Sequence, residues 1–178
     1  MKKFVSILFA VLALLISTVS FAEEAQLGSV KGPQIDLKLS DHAIAGSIKN
    51  FVMWGFVDEE TFSSDIIIRK DTQLIKATFK KQDDGRTGGV IQHTVDNKEL
   101  VTSVYLVGVN GKEQKIVLSI NGQDVVVSIA GEYKDGHFRN PTYSAVYNGE
   151  EIRFTVEGEA CYGFSFHLSA MVLGAYLH

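Results

Sequence analysis

Four dipeptides, Asn110-Gly111, Asn121-Gly122, Asp135-Gly136 and Asn148-Gly149, punctuate residues 100–156 at short intervals. A two-residue type I′ hairpin turn needs positive φ at both central positions. Gly reaches that region without penalty, and Asn or Asp tolerates it. The flanks agree with this reading. Ile116, Leu118 and Ile120 alternate with polar or small neighbours before Asn121, as do Val125, Val127 and Ile129 after Gln123. Ile152, Phe154 and Val156 alternate with Arg153, Thr155 and Glu157 after the last turn. The pattern predicts a half-buried antiparallel meander.

The rest of the chain extends it. Residues 23–32 read as a loose lead-in closed by Gly32-Pro33, and Ile35, Leu37 and Leu39 mark a first strand. Residues 41–57 admit two readings. As a helix, Ser40 caps the segment, Ile44, Ile48, Phe51 and Val52 form a stripe, and Gly55 ends it. As a strand, Ile44, Ile48, Val52, Trp54 and Phe56 share a face that Gly46 and Asn50 interrupt. The helix is the slightly preferred expectation. Ile66-Ile67-Ile68, the alternation of Ile75, Ala77 and Phe79, and residues 90–95 each predict a strand. Residues 161–177 are the longest apolar stretch of the meander side of the chain. Tyr162, Phe164, Phe166, Leu168, Ala170 and Val172 alternate with Gly163, Ser165, His167 and Ser169, which predicts a central strand bent at Gly174.

The expected fold is therefore all-β, with about ten strands and at most one short helix. Two architectures follow: a meander closing into a lipocalin-like up-and-down barrel, or a two-sheet sandwich with a crossing near residues 136–141.

Export is expected from the first residues. Lys2 and Lys3 precede an apolar run over residues 4–16, and Ser20-Phe21-Ala22 gives the small-x-small pattern of a cleavage site. This divides the chain into a signal peptide, residues 1–22, and a single β domain, residues 23–178, destined for the periplasm or the medium. The formal charge is −4, and it becomes more negative once Lys2 and Lys3 are removed. Such a balance argues against nucleic acid or anionic lipid headgroups as the main partner. Cys161 is the single cysteine, so the domain holds together by packing without an internal disulfide, with Cys161 read as a buried strand thiol.

No sequence motif carries chemistry. His42, His93, His137, His167 and His178 show no metal-ligand spacing, and no phosphate loop, dinucleotide turn or nucleophile elbow is present. His167, between Ser165 and Ser169, is the histidine closest to a hydrolytic arrangement, yet no acidic orienter can be assigned. The expectation is a non-enzyme with no metal and no cofactor. Lys76, Lys80 and Lys81 form a basic cluster that suits a solvated strand edge. Aromatic residues carry the binding hypothesis. Trp54, Tyr105, Tyr143, Tyr147, Tyr162, Phe164 and Phe166 are the candidate ligand-binding residues if the inward face of a barrel lines a cavity.

Over residues 119–137, Ile120, Asn121, Asp124, Tyr133, Lys134, Gly136 and His137 resemble part of the thermostable direct haemolysins. The resemblance covers about a tenth of the chain and lacks the paired C-terminal cysteines of those toxins. It implies a secreted β-sandwich that oligomerises on membranes. Three functional expectations result. The first is an exported barrel binding a hydrophobic small molecule or lipid. The second is a sandwich interaction module for protein, glycan or membrane. The third is a small outer-membrane barrel, which residues 161–176 suggest and the charged remaining strands oppose.

Overall fold

In a computed structural model, residues 28–40, 43–58, 63–96 and 98–177 are described. The expected signal peptide, residues 1–22, lies outside them, as do His42 and His178. Thirteen strands precede one helix: β1 (Gly28–Gly32), β2 (Ile35–Leu39), β3 (Ala43–Ile48), β4 (Phe51–Asp58), β5 (Ser63–Lys70), β6 (Gln73–Lys81) and β7 (Thr87–Val95) come first. They are followed by β8 (Lys98–Asn110), β9 (Lys115–Ile120), β10 (Gln123–Lys134), β11 (His137–Tyr147), β12 (Glu150–Glu157), the two-residue β13 (Glu159–Ala160) and α1 (Tyr162–Gly174).

Each of the first twelve strands pairs antiparallel with its neighbours in sequence, and β1 closes on β12 through Ser29↔Glu157, Val30↔Val156 and Lys31↔Thr155. The result is a closed up-and-down barrel, which removes the exposed edges an open sheet would carry. The sandwich alternative is thereby corrected: residues 137–141 lie within β11 and make no crossing. Asn121-Gly122, Asp135-Gly136 and Asn148-Gly149 take positive φ at both positions, as a type I′ turn demands. Asn110-Gly111 does not form a two-residue turn. Asn110 pairs with Lys115, and the loop closes with Gln114 at positive φ.

Three further expectations are overturned. Residues 28–32 form a strand, not a lead-in, with Val30 buried at the closing seam. Residues 41–57 contain no helix among those described; β3 and β4 form a hairpin turning at Lys49 and Asn50, with Ile44, Ile48, Phe51 and Met53 facing inward. The segment 161–177 is not a strand. Most of it is α1, the one helix among the described residues.

The position of α1 explains the barrel's size. Eight strands enclose a space that side chains alone can fill, whereas twelve leave a wider lumen. A helix about 10–12 Å across fits that lumen. Lengths match as well: the eight-residue β4 rises about 26 Å and, tilted by about 40°, spans about 20 Å of barrel height. The 13 residues of α1 rise about 20 Å. Every residue from Phe164 to Gly174 is buried, as expected of a helix that is apolar all round.

Candidate functional site

Inside the barrel, α1 carries three polar side chains, Ser165, His167 and Ser169, all buried. Residues two apart on an α-helix point about 200° apart, so Ser165 and His167 face opposite walls. The walls meet them. His167 Nδ1 lies 2.9 Å from the Ser64 hydroxyl on β5. On the other side, Ser165 Oγ donates to the Cys161 carbonyl at 2.8 Å, leaving the Tyr143 hydroxyl of β11 to donate to Ser165 Oγ at 2.8 Å. In a ring of twelve strands β5 and β11 stand diametrically opposed. Two hydrogen bonds thus fix α1 in rotation and in height.

Burial holds these groups uncharged. The His167 imidazole is pushed down to about 4 by desolvation, and burial raises the Tyr143 phenol well above its ordinary value. His167 Nε2 and Ser169 Oγ have no hydrogen-bond partner among the described residues. Rings surround the imidazole: Phe79 on β6 at 6.3 Å and Phe166 at 5.1 Å between centroids. The Ser–His contact foreshadowed by His167 therefore exists, but its serine is Ser64, which no local spacing could reveal. No carboxylate contacts His167 among the described residues. The arrangement serves to position a helix in an apolar core.

Of the predicted ligand residues, Tyr143 and Tyr147 project inward from β11, with Tyr143 stacked on Phe154 at 4.8 Å. Tyr162, Phe164 and Phe166 belong to α1 itself. Phe166 packs edge-on against Phe79 at 5.9 Å, and Tyr162 sits at the mouth against Tyr133 and Phe138. These five form filling, not lining. At the far end Lys49 Nζ lies 4.0 Å over the Tyr176 ring, closing the barrel below α1.

Trp54 and Tyr105 point the other way. Tyr105 lies on the outer wall under the Arg86 guanidinium at 4.8 Å. Trp54 is the middle of an outward row on β4, where Val52 is 59%, Trp54 40% and Phe56 65% exposed. Its lateral neighbours extend the apolar surface, since Ala45 on β3 and Ile67 on β5 register with Trp54. Beyond them Lys38 registers with Ala45 and Lys76 with Ile67. Shallow grooves of about 520 and 500 Å³ flank the indole, one reaching Arg69 and Lys70, the other Ile67, Leu74 and Lys76. The strand reading of residues 41–57 put Val52, Trp54 and Phe56 on one face with Ile44 and Ile48, but the two-residue turn at Lys49 and Asn50 reverses the parity, so Ile44 and Ile48 face inward and Val52, Trp54 and Phe56 outward.

Away from this sector the outer wall mixes charged residues, among them Lys31, Asp36, Asp124, Glu151, Arg153 and Glu157, with exposed apolar ones, among them Val101, Val107, Val109, Val126 and Val146. The apolar interior, filled by α1, differs from the polar lumen of a transmembrane barrel.

Among the described residues no group of three or more His, Cys, Asp or Glu side chains could hold a metal ion. No family model, no curated protein and no solved structure matches the chain.

Proposed function

We propose that the chain is an exported, non-enzymatic binding module that meets its partner through the outer wall of β3–β6. The observation that carries this reading is the row Val52, Trp54 and Phe56, three large apolar side chains exposed side by side on one strand. Contiguous exposed apolar surface of this kind marks interaction sites, and Trp is among the residues that dominate binding energy at interfaces.

A hydrophobic small molecule or lipid inside the barrel is the competing reading, and magnitudes weigh against it. Phe164, Phe166, Leu168, Met171, Val172 and Leu173 are buried on α1. At about 1.5–3 kcal/mol each they contribute roughly 9–18 kcal/mol, comparable with the whole stability of a domain, about 5–15 kcal/mol. A ligand would have to replace all of that to take the place of α1. The outer wall asks for no such exchange.

Photo-crosslinking in cells that export the chain tests the reading. A photoreactive residue at position 56 should give adducts, and one at position 124 on β10, the strand opposite β4 in the ring, should not. Equal labelling at both positions would remove the β4 row from consideration.

A further inference from the structure

The β4 row can be assigned a partner, an inference that rests on the outer-wall reading above. One line across the strands runs Lys38, Ala45, Trp54, Ile67, Lys76, each registered with the next. At about 4.8 Å per strand the two lysines stand about 19 Å apart around the wall, with an apolar centre between them. Arg69 registers with Val52 and brings a third exposed cation to the rim. Lys38, Arg69 and Lys76 form no ion pair among the described residues, and the acids beside them include Asp36, Asp65, which registers with Phe56, and Asp71, which lines both grooves. Asp36 pairs with Lys31, Asp65 accepts from Thr78 at 2.7 Å, and Asp71 lies in the β5–β6 turn.

We infer that this face docks on an anionic phospholipid surface, with Val52, Trp54 and Phe56 entering the interface and Lys38, Arg69 and Lys76 meeting headgroups. Shape favours a bilayer over a peptide. The outer wall of a barrel is convex, so it offers a ridge that can dip into lipid, whereas helical peptides seat in grooves. Trp suits the headgroup level, and lysine stems lie along apolar surface while the ammonium stays in water. The chain's negative net charge, which argues against anionic headgroups for the molecule as a whole, acts on this face only at short range. Screening over about 8 Å at physiological salt leaves the local rim to decide.

Trp54 is the single tryptophan, so its emission reports on this face alone. With vesicles of phosphatidylcholine containing about one third phosphatidylglycerol, emission should move to shorter wavelength and the chain should sediment with the lipid. Neutral phosphatidylcholine vesicles should do neither. Each basic residue near a charged surface changes partition about fivefold; Lys38→Glu with Lys76→Glu should therefore lower anionic-vesicle binding at least about 25-fold. Val52→Ser with Phe56→Ser should abolish the emission shift. Val146→Ser, an exposed apolar residue on β11, should leave both unchanged, and thermal unfolding of each variant reports that it folds. An unshifted Trp54 with anionic vesicles, or equal binding to neutral ones, overturns the lipid assignment. If position 56 still crosslinks to protein in that case, the outer-wall reading stands without it; absence of both removes both.

Discussion

His167 in the middle of α1 and Ser64 on β5 are joined by a 2.9 Å contact in the barrel interior, 103 residues apart in sequence. The opposite side of the helix is held by Tyr143 and Ser165 at 2.8 Å. These two bonds share no partner and fasten opposite walls.

Removing either should be costly and independent of the other. Ser64→Ala leaves a buried imidazole nitrogen without its partner and should destabilise by about 1–3 kcal/mol. Tyr143→Phe should cost about 1 kcal/mol. In chemical denaturation the double variant should equal the sum of the single ones within about 0.5 kcal/mol.

The same pair sets an acid response. Burial lowers the folded-state value of His167 to about 4, against about 6.5 for an unfolded chain. Between those values the unfolded chain binds a proton that the folded one refuses, so stability is complete above about pH 6.5 and declines as pH falls toward 4. The slope should approach about 1.4 kcal/mol per pH unit. His167→Gln keeps a hydrogen-bonding side chain but has no proton to gain, and its stability between pH 6.5 and 4 should be flatter than wild type by that amount.

Core and outer wall should separate in mutation. Phe166→Ala opens a cavity beside Phe79 and should cost about 3–5 kcal/mol. Trp54→Ala, on the exposed row, should change stability by no more than about 0.5 kcal/mol while removing binding. Thermal melts beside vesicle sedimentation check both halves.

Turn chemistry gives a further test. Asn121 and Gly122 hold φ of 50° and 83° in the β9–β10 turn. Gly122→Val forces a branched side chain into a region it avoids, although open space surrounds the position. The expected loss is about 1–2 kcal/mol, read by denaturation, with no change in Trp54 emission.

How far the sequence disclosed this molecule depends on which rule each segment obeys. The meander was legible because Asn-Gly and Asp-Gly announce positive φ and because one face of each strand is buried while the other meets water. β3 and β4 were obscured since Lys49-Asn50 is not a standard hairpin dipeptide and since Ile44 and Ile48 fit a helical spacing equally well. β1 has one large apolar residue, Val30, and so little pattern. The hardest case is α1. Enclosed on every side by the barrel, it has no solvent face and hence no helical stripe, and the order Phe164-Ser165-Phe166-His167-Leu168-Ser169 imitates an alternating strand. Length was the available signal, because a run without Gly, Pro, Asn or Asp over residues 164–173 exceeds a usual strand of five or six. The contacts of Ser165 and His167 depend on strands far away in sequence. For the same reason the ligand candidates split: alternation shows that a residue points to one face but not whether that face is the lumen or the outside.

The central claim is that α1 is the permanent core of the barrel and not a removable stopper. Native-state hydrogen exchange across Phe166–Val172 addresses it directly. If the claim holds, these amides exchange only through global unfolding, with the same free energy as the slowest amides of β5 and β11 and the same denaturant dependence. Exchange of the helix at a distinctly lower free energy, while the strands stay protected, would show that α1 leaves an intact barrel and would contradict the account.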